Sequence, residues 1–161
     1  MIKFASENDF NEILEIYNYY VKNSTCTFDI TPLKLEEIIK RININNCIIY
    51  ENEENNKILG YAYYSKYNTR EGYKNNVEIS IYVNKDFRGK QIGNKLLNYL
   101  ITLIKTNNYE KIISHISTPN DSSIKLHEKN GFVRCGILPN IGYKFGKYIN
   151  VEIWILDIAI Q

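Results

Sequence analysis

The chain has 161 residues, a length typical of one domain with a single core. Hydrophobic residues make up 44% and charged residues 24%, and no apolar run approaches the roughly 18 residues of a membrane span. The formal net charge of +2, from 20 basic and 18 acidic residues, gives no extended positive field. We therefore expect one domain over residues 1–161, with neither nucleic acid nor membrane as a partner.

The cysteines indicate a reducing compartment. Cys26, Cys47 and Cys135 lie far apart and are odd in number, which does not suit a disulfide framework. They show no metal-ligand spacing, and the first ten residues are too polar for a signal peptide. We expect a cytoplasmic protein without a metal.

The first part of the chain predicts a strand and two helices. Ile2–Phe4 is a short apolar strand, and Ser6 with Asp9 resembles a capping box that opens a helix to about Lys22. Thr31-Pro32 is a favourable start for a second helix, because proline suits the first helical position. The apolar stripe of that helix consists of Leu35, Ile38, Ile39 and Ile42.

From Cys47 onward the apolar period changes to that of strands. Strands are predicted at 47–50, 58–67 and 77–83, the first two joined by a polar turn. Gln91–Lys105 has the strongest helical stripe of the chain, and a further strand is predicted at 112–117.

The last part predicts one helix and two strands. Asn120 or Asp121 caps the helix, which ends at Asn130-Gly131, and strands follow at 132–137 and 151–160. The order is β-α-α-β-β-β-α-β-α-β-β. Consecutive strands in the middle break the alternation of a doubly wound fold, so we expect an α/β protein with a mixed, largely antiparallel, twisted sheet of about seven strands and helices on both faces.

A short basic loop separates the strand at 77–83 from the strong helix. Its sequence, Arg88-Gly89-Lys90-Gln91-Ile92-Gly93, opens the helix, where free backbone N–H groups and the helix dipole favour an anion such as phosphate. It lacks the Gly-Lys-Ser/Thr end of a P-loop and the G-x-G-x-x-G of a dinucleotide site. A solvated basic turn is the alternative interpretation.

The motifs around this loop resemble those of the GNAT acetyltransferases, and within them the phosphinothricin acetyltransferase group. The resemblance extends from Ile2 to about Leu156. Its carriers are Val77–Val83 followed by RGKQIG, Ser117–Ser123 leading to His127–Phe132, the early segment Ser24–Phe28 and the late segment Gly142–Tyr148.

The resemblance implies acetyl-CoA as co-substrate. The family's pyrophosphate loop corresponds to residues 88–93, and this sequence departs from it at Gln91, where the family has glycine. We expect the Gln91 amide to stay free because the residue is already helical. The implied cofactor-binding residues are Ile81, Tyr82, Val83, Arg88, Gly89, Lys90, Gln91, Ile92, Gly93, Asn94 and Asn120.

Acetyl transfer to an amine needs a group that accepts the amine proton, and two residues are candidates. Glu78 lies between apolar neighbours just before the cofactor stretch, and burial raises the pKa of a carboxylic acid towards the range of a general base. The family match places the general base at Glu78; a solvent-facing Glu is the alternative. His127 takes the position of the family's acid for the departing thiolate, and could instead assist the base or orient substrate. His115 is expected to be structural.

The acceptor is expected to be the amine of an amino acid or an analogue such as phosphinothricin or methionine sulfone or sulfoximine. The resemblance implies substrate contacts from Phe28, Arg70, Glu71, Gly72, Tyr73 and Tyr143. Departures from the group at Asn75-Asn76 and Asn150 leave the acceptor open. The alternatives are a protein N-terminal or polyamine acetyltransferase and a non-catalytic acyl-CoA-binding module. The family likeness also suggests a homodimer.

Overall fold

The computed structural model describes residues 1–159. Within them the seven strands are β1 (Ile2–Phe4), β2 (Cys47–Glu51), β3 (Ile58–Lys66), β4 (Asn76–Val83), β5 (Lys111–Thr118), β6 (Val133–Lys144) and β7 (Lys147–Asp157). The four α-helices of the same part are α1 (Phe10–Asn23), α2 (Leu35–Arg41), α3 (Ile92–Thr106) and α4 (Asp121–Lys129). The predicted element order and the mixed, largely antiparallel fold class are confirmed.

The strands form one sheet in the order β1-β2-β3-β4-β5-β7-β6. Every neighbouring pair is antiparallel except β4 and β5, which run parallel and are joined through α3. A parallel pair needs such a crossover, because a hairpin can join only antiparallel strands.

The two faces of the sheet bury separate apolar clusters. Consecutive strand residues point to opposite faces, and Ile48 packs with Leu96 and Leu100 of α3, whereas Ile49 packs with Ile13 of α1 and Ile38 of α2. Helices therefore cover both faces, and α3 and α4 lie together on the first of them.

The parallel pair β4–β5 is short, and this shapes the site. The two strands pair only where Asn76–Glu78 lies opposite Lys111–Ile113. Beyond Glu78, β4 continues to Val83 while still pairing with β3, so its other edge is open. The two strands thus separate, and a gap opens between their carboxyl-terminal halves.

Helix α2 begins later than predicted. The Asn18 side chain donates to the Leu33 carbonyl (2.9 Å) and accepts from the Leu33 amide (2.8 Å), which holds the chain extended past Thr31-Pro32. The helix starts only at Leu35, where the Glu37 carboxylate accepts from the Lys34 amide at 2.7 Å.

The last two strands form a longer hairpin than predicted, 133–144 with 147–157, and pair almost to the turn. Most of β6 is exposed, so its sequence lacks the apolar alternation by which strands are recognised. Ile160, the predicted end of the last strand, lies outside the described residues.

Candidate active site

A cavity of about 850 Å³ occupies the gap between β4 and β5. Residues 78–83 line one side and residues 114–117 the other, while the start of α3, helix α4 and the loop after α1 complete the wall. The predicted cofactor residues Ile81, Tyr82 and Val83 all line it. The Tyr82 ring packs against Tyr61, at 5.5 Å between ring centroids.

The loop at 88–93 brings free backbone amides to this cavity. The first bond inside α3 runs from the Lys95 amide to the Gln91 carbonyl, so the amides of residues 92–94 have no partner within the helix. Arg88, Gly89, Gln91, Ile92, Gly93 and Asn94 line the cavity. Lys90 does not; its ammonium lies 5.0 Å from the Phe87 ring centroid. The arrangement suits an anion, as the sequence predicts.

Gln91 is not helical, contrary to expectation. It is the N-cap of α3 with φ +62°, in the left-handed region that glycine adopts most easily. For an L-residue this conformation costs about 1–2 kcal/mol. The backbone therefore keeps the turn of a glycine-bearing loop although the residue carries a side chain.

Glu78 and His115 form a hydrogen-bonded pair in the cavity wall. Oε1 of Glu78 lies 2.8 Å from Nδ1 of His115, with side-chain exposures of 38% and 31%. The hydrogen bond to Glu78 raises the pKa of His115, and burial of the ring opposes that rise. His115 was expected to be structural; the structure instead places it against the predicted base.

His127 lies on α4 and is 4% exposed. Its Nδ1 is 2.7 Å from the carbonyl oxygen of Ser123, an atom that only accepts, so Nδ1 carries the hydrogen. Nε2 is then an acceptor, and it finds no partner within residues 1–159. Burial lowers the pKa of His127. The ring is therefore neutral, and His127 lines the cavity although its Nε2 atom is itself buried.

The loop between α1 and α2 forms the opposite wall and is held by the β6–β7 hairpin. Lys144, buried on β6, donates to the carbonyl of Thr27 at 2.8 Å, and burial lowers its pKa. The Phe28 ring lies against Gly142, where an added Cβ would come within 2.1 Å of the ring. Glycine at this position is what allows Phe28 to pack and line the cavity.

Asn120 lines the cavity at the start of α4, as predicted for a cofactor contact. Its Oδ1 accepts from the Ser123 amide at 3.3 Å and caps the helix. Cys26 Sγ lies 3.5 Å from its Nδ2. The structure thus gives Asn120 a capping role at the edge of the cavity.

Most of the predicted substrate residues lie outside this cavity. Arg70, Glu71, Gly72 and Tyr73 are exposed on a short turn between β3 and β4, beyond the end of β4 that precedes Glu78. Tyr143 is 59% exposed on β6 and packs on Tyr148. Phe28 is the predicted substrate residue that lines the cavity among the described residues.

The polar residues of β5 that line the cavity were not predicted as site residues from the sequence. Ser114 and Ser117 are buried on β5, and Ser117 Oγ has no partner within residues 1–159. A polar residue inside an apolar strand was the available signal, as it is for His115. Over the same residues, no group of three or more His, Cys, Asp or Glu could hold a metal ion, and no helix has the length and apolarity to cross a membrane.

Known proteins share this architecture. Residues 2–154 match the family model described as an acetyltransferase (GNAT) domain. The L-methionine sulfoximine/L-methionine sulfone acetyltransferase of Pseudomonas aeruginosa is 32% identical over 161 residues, which cover 98% of this chain and 94% of that protein.

Solved structures agree. The structure of a GNAT superfamily phosphinothricin acetyltransferase from Sinorhizobium meliloti, in complex with AcCoA, has a TM-score of 0.94 and 30% identity, covering 99% of this chain and 88% of that one. That of a ribosomal-protein-alanine N-acetyltransferase from Brucella melitensis has a TM-score of 0.92 and 31% identity, covering 98% and 99%. The chain therefore belongs to the GNAT family and is an acetyl-CoA-dependent N-acetyltransferase.

Proposed function

We propose that this enzyme acetylates the amine of a small amino acid or analogue, of the methionine sulfone, methionine sulfoximine or phosphinothricin kind. The observation that carries the proposal is one cavity that joins an anion-binding helix start to a carboxylate. Glu78 and the α3 amides line the same space between β4 and β5. The similarity to acetyltransferases of such amino-acid analogues supports this acceptor class.

The residues at the α3 start suit the pyrophosphate of acetyl-CoA. The amides of residues 92–94 are free of helix partners, and Arg88 and Gly89 lie beside them. An added Cβ at Gly93 would lie 3.5 Å from Leu126 and Val83, so protein packing alone does not require glycine there. Close approach of a ligand to the backbone is the remaining physical reason for a glycine. When bound, acetyl-CoA supplies the acetyl thioester.

Glu78 supplies the basic group for direct transfer. An acceptor amine is protonated near neutral pH and must lose a proton before it can attack a carbonyl. The Glu78 carboxylate is half-exposed at the point where β4 and β5 separate. A basic group at that point faces both the substrate space and the open edge of β4.

His127 lies beside the ligand space as a neutral ring. The predicted acid role needs a proton on Nε2, but Nδ1 already holds the hydrogen and burial disfavours the imidazolium form. Nε2 is itself buried and has no partner within residues 1–159, so a ligand donor reaches it only if the ring shifts. His127 therefore takes no part in proton transfer in this proposal.

A protein N-terminal acetyltransferase is the second candidate. The similarity to a structure named for ribosomal-protein-alanine acetylation favours it. A thiol-release assay with acetyl-CoA separates the two candidates when free amino acids, their sulfone and sulfoximine analogues, an alanine-initiated peptide and a polyamine are compared. The proposal expects the free amino acids and analogues to give the highest kcat/KM, and a preference for the peptide would contradict it.

We further propose that one domain spans residues 1–161 and forms a homodimer through the β6–β7 hairpin. The hairpin carries apolar side chains that are more than half exposed, which is typical of an interface: Val133, Ile141, Tyr143, Phe145 and Tyr148. Light scattering on the purified protein tests the dimer, and a monomer at assay concentration would contradict it.

The three cysteines, all within the described residues, are free and suit a reducing cytoplasm.

A further inference from the structure

The Glu78–His115 pair arises from the register of the parallel strands. Glu78 is opposite Ile113, so Glu78, Ile113 and His115 point to the same face of the sheet. His115 comes two residues after the last paired position, where β5 begins to separate from β4. The two side chains therefore meet at the opening of the cavity, 2.8 Å apart.

The hydrogen bond fixes the tautomer of His115. An ionised carboxylate only accepts, so the hydrogen between the two residues belongs to Nδ1. Nε2 then carries the free lone pair. Within residues 1–159 it has no hydrogen-bond partner, and the side chain is 31% exposed on the cavity wall. This is the arrangement in which a carboxylate orients an imidazole base.

We propose that Glu78 and His115 act together as the proton-accepting pair, in which Nε2 of His115 takes the proton of the acceptor amine and Glu78 orients the ring. The inference rests on the proposed function and refines the part of Glu78 in it. In the step, one N–H bond of the ammonium breaks, its electron pair stays on nitrogen, and an Nε2–H bond forms. The pair then holds one additional proton, which passes to solvent after the product leaves.

Electrostatics favour His115 as the resting place of the proton. A proton on Nε2 leaves a carboxylate–imidazolium pair joined by a charge-assisted hydrogen bond, whereas a proton on Glu78 would remove that attraction. The same hydrogen bond raises the pKa of His115 from its ordinary 6.5. General bases work best when their pKa lies near the operating pH.

Other ionisable groups near the pair come from several elements. On β7 the residue opposite His115 is Ile153, which does not ionise. On β3, Tyr63 lies near Glu78. The ionisable residues that line the cavity include Cys26, Tyr82, Arg88, Lys125 and His127. Of these, His127 titrates below its ordinary value because it is buried, so its titration lies on the acid side of that of His115.

The test is kcat/KM against pH for the intact enzyme and the variants His115→Asn, Glu78→Gln and the double variant, with methionine sulfone as acceptor. In the wild type we expect kcat/KM to fall on the acid side of the profile (the acid limb) with a midpoint above pH 6.5. A lone carboxylate would instead give a midpoint near the ordinary Glu pKa of about 4.3. His115→Asn should lower kcat by roughly 10²–10⁴ and displace the limb. The double variant should lose no more than the worse single variant, because residues that act as a unit are not additive.

Asp157→Asn is the matched control. It breaks the exposed ion pair between Asp157 and Lys111, whose atoms lie 2.6 Å apart. Lys111 is on β5, as His115 is, but lies away from the cavity, so the pH profile should stay unchanged. An NMR titration of His115 in the wild type and in Glu78→Gln is independent of how His115 variants fold. We expect a lower His115 pKa in Glu78→Gln, because the charged partner is gone.

Three results would overturn the proposal that Glu78 and His115 act as a pair. They are a wild-type kcat and acid limb in His115→Asn, a loss of kcat in the double variant equal to the product of the two single losses, or an unchanged pKa of His115 in Glu78→Gln. Each leaves the proposed function standing, because that depends on the wild-type enzyme acetylating amino acids. Failure of the wild type with every amino acid and analogue would instead overturn the proposed function.

Discussion

A negative charge at Gly93 should separate folding from cofactor binding. Gly93 lies in the first turn of α3, and an added Cβ would meet Leu126 and Val83 at 3.5 Å, an ordinary contact. Gly93→Asp should therefore fold, and a carboxylate near the helix start should stabilise the helix by about 0.3–1 kcal/mol. The same charge repels a pyrophosphate. Like unit charges about 5 Å apart repel by about 3 kcal/mol at an effective dielectric constant of about 20, which is about a hundredfold in affinity.

Thermal unfolding with and without acetyl-CoA measures this separation. At a concentration a hundred times Kd, the wild type should gain about 2.7 kcal/mol, and a hundredfold weaker variant should gain about 0.4 kcal/mol. For a domain of this size the Tm shifts are about 5–10 °C and about 1 °C. Thr102→Asp, exposed in the C-terminal part of α3 and far from the helix start, is the charge control and should keep the full shift. A full shift in Gly93→Asp would refute the assignment of this helix start to the pyrophosphate.

Three further variants test other parts of the account. Gln91→Gly should raise the free energy of unfolding by about 0.5–1 kcal/mol in chemical denaturation, because φ +62° suits glycine, and a decrease would contradict the strain. Gly142→Ala should destabilise by about 1–3 kcal/mol by displacing Phe28 and should raise KM for the amine, whereas Gly136→Ala, with open space around the added Cβ, should not. Arg70→Ala should leave kcat/KM near the wild-type value for amino acids and for matched amines without a carboxylate, because Arg70 is exposed on the turn between β3 and β4, outside the cavity; a loss confined to amino acids would return Arg70 to the substrate site.

The sequence was most informative where local patterns decide structure. The α3 stripe predicted its helix within one residue at each end, because Leu96, Leu97 and Leu100 are buried on one side. Gly131, at φ +83°, follows the end of α4 as its sequence suggests. The loop between β4 and α3 was located by its basic and glycine residues before an apolar helix.

Long-range pairing decided what the sequence could not show. Glu78 and His115 are 37 residues apart, and only the parallel register of β4 with β5 brings them together. The β6–β7 hairpin was underestimated because its outer strand is exposed and shifts register between Leu138 and Gly142. The start of α2 depended on the side chain of Asn18, a contact between distant segments that no local signal reports.

The role of Glu78 in catalysis is tested by measuring turnover and cofactor binding of Glu78→Gln side by side. The amide keeps the shape of the side chain but cannot serve as the carboxylate of a base. We expect kcat for amino-acid acetylation to fall by roughly 10²–10⁴, while the Tm shift with acetyl-CoA stays that of the wild type. Near-normal turnover in Glu78→Gln at neutral pH would contradict this expectation and remove Glu78 from the proton transfer.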